Sequence, residues 1–142
     1  MSIRYILDTD HVSLLQRGNV AIAARLDALA ATAVAITMIT ADEQLQGRLT
    51  IIRRARTQVD IVRGYERLYE TLRFYNSVAL VLYDAVAAAR FDDMRRQGIR
   101  IGTQDLRIAA IMLTQGTTLL TRNTRDFNQI PGLITEDWSQ AP

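Results

Sequence analysis

The sequence predicts an α/β fold: a three-layer α/β/α domain on a mostly parallel, four- to five-stranded sheet with helices on both faces. Three observations point there. Short apolar runs of strand length, several of them β-branched, recur along the chain. Longer stretches with a 3.6-residue apolar period lie between them. Strands that alternate with helices need right-handed crossovers, and these make neighbouring strands parallel. The 142 residues are expected to form a single domain, residues 1–142. A chain of this size buries roughly 68–70% of its unfolded surface, enough for one core.

Arg4–Leu7 is an apolar run that ends at Asp8-Thr9-Asp10 and reads as the first, buried strand. His11–Arg17 reads as a short helix closed by Gly18 and Asn19. Val20–Ala30 is rich in alanine and leucine and forms a second helix, with Asn19 as its N-cap. Val34–Ile39 is the second strand, after which the period changes. The chain from Asp42 to about Thr57 is helical despite Gly47, and Asp60 to about Tyr75 is helical with Ile61, Tyr65, Leu68 and Leu72 on one face. Ser77–Leu82 is a third strand. Asp84 caps an alanine-rich helix that runs to Arg96 and stops at Gly98.

Ile101–Leu113 opens with a glycine, with Thr103 as the expected N-cap and Asp105 in the first turn. Ile108, Ala109, Ile111 and Met112 give it a broad apolar face. Gln115-Gly116 is its stop. Thr117–Thr121 is a fourth strand, and Asn123–Asp126 a turn or short helix. Leu133–Thr135 is a final edge strand after Pro131 and Gly132.

Composition excludes several chemistries. There is no cysteine, so neither a disulfide nor a thiolate metal site is available. All 17 basic residues are arginine, which excludes any mechanism that needs a lysine. The first acid comes too early for a signal peptide, and the apolar runs are too short for a membrane span. The expectation is a soluble cytoplasmic protein with no membrane partner. A net charge of +2 does not by itself imply nucleic-acid binding. Arg48, Arg53, Arg54, Arg56, Arg63 and Arg67 are interleaved with Asp60, Glu66 and Glu70, as on a solvated helix face. A phosphate-contacting surface is the alternative reading.

In parallel sheets the functional crevice lies beyond the carboxyl ends of the strands. Asp8 and Glu43 follow strands one and two, Asp126 follows strand four, and Asp105 opens the helix that feeds strand four. The inferred topology puts all four acids on one edge. Each also has a purely structural explanation. Thr40-Ala-Asp-Glu43 has capping-box spacing, Asp105 suits a helix dipole, Asn123–Asp126 suits a capping turn, and Asp8 could hold a loop. Taken together, four converging carboxylates would repel one another, and a divalent cation removes that difficulty. Oxygen-only ligands favour Mg²⁺ or Mn²⁺ over zinc, and such a site suits phosphodiester hydrolysis. No serine or cysteine nucleophile with a partner base is apparent. His11, the only histidine, reads as a surface or loop residue, with a place at the edge of the site as the alternative.

Ile6–Asp10, Ile39–Glu43 with Gly47, Ile101–Ala110 and Leu120–Phe127 resemble, in order, the successive motifs of PIN-domain ribonucleases, in particular the VapC-type toxins of bacterial toxin–antitoxin pairs. The tail Ile130–Trp138 is similar to the end of those proteins. The resemblance implies a PIN-like domain and a metal-dependent endoribonuclease. Its catalytic and metal-binding quartet would be Asp8, Glu43, Asp105 and Asp126, with Thr9, Thr121 and Asn123 in support. It also implies a homodimer and inhibition by a small VapB-like antitoxin, which inserts a segment near the acidic pocket and often brings an arginine. Arg122 departs from the asparagine of many relatives and would hold substrate phosphate or pair with an acid.

Two other readings compete. Tyr5–Val12 resembles the opening of haloacid-dehalogenase-type phosphatases, with Asp8 as nucleophile and Asp10 as acid/base. That chemistry normally uses a downstream lysine, which this chain lacks. A non-catalytic RNA- or protein-binding module on the same fold is the other.

Overall fold

The computed structural model describes residues 2–141, so the two end residues of the expected 1–142 domain lie outside the described residues. Strands β1 (Tyr5–Leu7), β2 (Val34–Thr37), β3 (Ala79–Val81), β4 (Thr118–Leu120) and β5 (Ile134–Glu136) form one sheet in the order β3-β2-β1-β4-β5. Every neighbouring pair is parallel. Helices α1 (Thr9–Gln16), α2 (Val20–Asp27), α3 (Met38–Arg54), α4 (Gln58–Asn76), α5 (Ala85–Arg96), α6 (Thr103–Gln115) and α7 (Thr124–Phe127) complete the fold.

The two-residue period of a strand divides the core in two. Ile6 lies beside Ala35 and Leu119, and these face the layer built by α5 and α6. Leu7 lies beside Ile36 and Leu120, and these face Val12, Ile22 and Trp138 on the other side. Helix α6 is buried on more than the one face its periodicity predicts: Leu106, Ile108, Ala109, Ala110, Ile111 and Met112 are all buried.

Several boundaries differ from expectation, each for a local reason. Asp8 caps α1, which therefore starts at Thr9 rather than His11. β2 stops at Thr37, whose hydroxyl accepts the Thr40 N–H at 3.2 Å and opens α3 two residues before the predicted end of the strand. Gly102, not Thr103, is the N-cap of α6. On α4 the inward positions are Gly64 and Thr71, with Ile61 and Leu68 half-buried, while Tyr65 and Leu72 point to solvent. Gly64 allows this, because a Cβ there would lie 2.7 Å from Ile52 Cγ1 on α3.

The chain moves outward from β1 to β2 and β3, then returns to place β4 on the other side of β1. The order reverses between β1 and β4. A crevice opens beyond the carboxyl ends of strands at such a reversal. Among the described residues, no helix is long and apolar enough to cross a membrane.

Candidate functional site

Asp8 stands at the carboxyl end of β1, next to that reversal. Its N–H donates to the Leu120 carbonyl at 3.0 Å, which extends the β1–β4 ladder by one bond. Its Oδ1 accepts the His11 N–H at 2.8 Å and caps α1. The residue is 5% exposed, so the cap fixes the direction in which the second oxygen, Oδ2, points.

Thr9 reaches from the first turn of α1 to α3. Its hydroxyl donates to Glu43 Oε1 at 2.7 Å and lies 3.0 Å from Thr40 Oγ1. Because the Thr9 proton goes to the carboxylate, the buried Thr40 hydroxyl is the donor in the second bond. The capping-box explanation of Glu43 therefore fails. Thr37 does the capping, and Glu43 is aimed across helices at Thr9.

On the β4 side, Thr121 Oγ1 accepts the Asn123 N–H at 2.9 Å and turns the chain just past the strand. The Asn123 amide then donates to Asp105 Oδ2 at 3.2 Å and to Asp126 Oδ2 at 3.1 Å. One side-chain NH₂ thus bridges two acids from α6 and α7. Asp105 is half-buried, and its carboxyl is pushed above the usual carboxylate range. Burial is the main cause, followed by the charges of Asp8 and Glu43 and, after the opposing Asn123 hydrogen bond, that of Asp126. Asp105 thus feels all three other carboxylates of the predicted quartet.

Asp8, Asp10 and His11 also place one ligand atom each within 4.8 Å of one another. Hydrogen bonding rules out His11 and Asp10 as good ligands. His11 is fully buried, and its Nε2 accepts the Trp138 N–H at 3.1 Å. The ring proton must then sit on Nδ1, which has no hydrogen-bond partner and lies 3.6 Å from Asp8 Oδ1. Neither nitrogen offers a cation a lone pair. Both oxygens of Asp10 are held by Arg122 at 2.7 Å. Arg122, through Asp10, and Trp138, through His11, thus border Asp8.

Asp8, Glu43 and Asp126 are near enough to act on Asp105 electrostatically, and their oxygen-only chemistry is the kind that suits a divalent cation, although among the described residues only Asp8, Asp10 and His11 bring their ligand atoms within 4.8 Å of one another. One reading is corrected: His11 is a core residue beside Asp8, not a surface one. Arg122 pairs with an acid, one of its two expected roles. The support given by Thr40 went unseen, since its only sequence signal was the capping spacing that misassigned it.

No family model matches the chain. Over 70 residues it is 39% identical to a tRNA(fMet)-specific endonuclease VapC of Shigella flexneri, a match that covers 46% of this chain and 53% of that protein. The chain thus spans about half the length of this sequence relative. A DNA-bound VapBC structure from Salmonella typhimurium superposes with a TM-score of 0.75 at 24% identity, covering 96% of this chain and 98% of the other. A toxin–antitoxin complex from Klebsiella pneumoniae superposes with a TM-score of 0.70 at 23% identity, covering 97% and 99%. The chain thus shares its fold with these VapBC and toxin–antitoxin structures over nearly all of its length, and about half of it is similar in sequence to the Shigella flexneri VapC.

Proposed function

We propose that this chain is a Mg²⁺- or Mn²⁺-dependent endoribonuclease, the toxin of a toxin–antitoxin pair acting in the cytoplasm. The observation that carries the reading is the half-buried Asp105 carboxylate, tied to Asp126 through Asn123 and raised in proton affinity first by burial and then by the charges of Asp8, Glu43 and Asp126. A fold does not gather four acids at a strand-order reversal for stability, because their repulsion opposes folding. These four would hold the cation, which when bound polarises the phosphodiester and acidifies water for hydrolysis.

The protein's own groups set the geometry. The α1 cap fixes Asp8, the Thr9 hydroxyl fixes Glu43, and the Asn123 amide fixes Asp105 and Asp126. Each of these donors favours the charged carboxylate, so the pocket is kept ready for a cation. Thr121 acts one step back by orienting Asn123. The phosphatase reading loses ground because Asp10 is engaged by Arg122 and no lysine is present.

The protein partners are a second copy of the chain and a small VapB-like antitoxin. The support is an exposed apolar stripe along α4, where Val62, Tyr65, Tyr69 and Leu72 are 47–61% exposed. The names of the VapBC and toxin–antitoxin neighbours support the same reading.

The test is cleavage of total RNA by wild type and Asp105→Asn, prepared identically, with Mn²⁺ and with EDTA. Metal-dependent cleavage that is abolished in the variant is expected. Equal cleavage by both would sink the assignment of the site. A rise in melting temperature with Mn²⁺, absent in the variant, is expected in parallel.

A further inference from the structure

Arg122 and Asp10 meet across the carboxyl edge of the sheet from positions 112 residues apart. The Nε and Nη2 groups of Arg122 donate to Oδ2 and Oδ1 of Asp10, both at 2.7 Å. Their side chains are 51% and 39% exposed, and an ion pair in that setting adds little stability. What the two-point contact does supply is orientation, because it fixes the plane of the guanidinium. One edge of Arg122 is spent on Asp10, and among the described residues Nη1 makes no hydrogen bond, which leaves that edge for another acceptor. Besides Asp10, Asp137 and Asp8 are close enough to act on the guanidinium electrostatically, so the cation stands at the edge of the acidic site. A polyanion approaching those carboxylates meets repulsion, and a fixed cation at the rim offsets it.

We propose that Arg122, held in orientation by Asp10, binds a backbone phosphate of single-stranded RNA beside the scissile bond. The proposal rests on the ribonuclease reading. It gives Arg122 a role in binding substrate and Asp10 a positioning role that acts through Arg122.

The experiment measures steady-state cleavage of a mixed-sequence single-stranded RNA with Mn²⁺ across a salt series. It also measures equilibrium binding of the same labelled RNA in EDTA. For Arg122→Ala, KM is expected to rise about tenfold with kcat nearly unchanged, as for loss of one charge-assisted contact. The slope of log(kcat/KM) against log[salt] should become shallower by about 0.7, the value for one single-strand phosphate contact. A residue that merely tied two loops together would not move that slope. Arg122→Lys should restore the slope but only part of the KM, since an ammonium lacks the planar fork. Asp10→Asn should raise KM although it removes a negative charge from the rim, and should add nothing to Arg122→Ala.

Wild-type KM and slope in Arg122→Ala, or a lowered KM in Asp10→Asn, would overturn the proposal and leave the nuclease standing. RNA binding that weakens in Arg122→Ala while wild type cleaves nothing would overturn the nuclease and keep the phosphate site. Neither binding nor cleavage by wild type would overturn both.

Discussion

One oxygen of Asp8 caps α1, so its structural explanation holds, and its charge also acts on Asp105. Asp126 accepts from the Asn123 side chain, which makes no cap bond to α7 and reaches Asp105 as well. Glu43 is different. Its sequence spacing mimics a capping box, yet Thr37 had already closed that helix end, and the carboxylate is left to Thr9. At Asp105 the raised proton affinity has a stability consequence. The folded state binds this proton more tightly than the unfolded chain does, so the ionised carboxylate costs stability above the folded-state pKa. That cost disappears as pH falls below about 4, the unfolded-state value. In metal-free buffer at pH 7, Asp105→Asn should therefore melt above wild type, with the gap closing towards pH 4. An equal or lower melting temperature at pH 7 would show that the repulsion is not felt. Added Mn²⁺ should reverse the order, since only wild type keeps the full donor set.

Helices α3 and α4 stand out among the elements because their packing depends on one missing side chain. Gly64 brings α4 against Ile52, with only 2.7 Å between that atom and where a Cβ would lie. Gly64→Val should force the helices apart and destabilise the fold by about 1–3 kcal/mol, measurable by urea denaturation. An unchanged midpoint would mean that Ile52 simply rotates away. Close packing at Gly64 explains why the predicted apolar face of α4 was wrong. The face in contact is set by where the small residues allow approach, so Tyr65 and Leu72 turn outward despite their hydrophobicity. In the arginine-rich stretch, Arg53, Arg54, Arg56, Arg63 and Arg67 are exposed. Arg48 is the exception. It turns inward to Gln16 and Thr71, in a polar cluster where burial pushes the Tyr75 hydroxyl up to about 12.

Across the whole molecule, the tail after β5 crosses the α1 side of the sheet and fastens it. Trp138 is buried among Leu7, Val12, Ile22, Ile36 and Leu120, and its ring sits 4.7 Å from that of Tyr5. Its backbone N–H holds His11, which lies directly under Asp8. Asn19 also grips the Ser139 carbonyl at 3.2 Å. Trp138→Ala should cost about 3–5 kcal/mol by emptying this part of the core. It should also weaken cleavage beyond what the folded fraction explains, because His11 and Asp8 lose their backing. Activity that merely tracks the folded fraction would show that the tail serves stability alone.

The parallel sheet, the helices and the four acids could be read from the chain by itself, because strand and helix periods, caps and βαβ handedness are local rules. The acids come near enough for Asp105 to feel the other three because each lies within a few residues of a strand end or a helix start, where topology leaves little freedom. Tertiary structure alone decided the rest. Arg122 meets Asp10, Trp138 meets His11, and Gly64 meets Ile52 over 112, 127 and 12 residues of chain. No local period reports such contacts. They depend on which faces the folded layers bring together, and on which buried polar group must then find a partner.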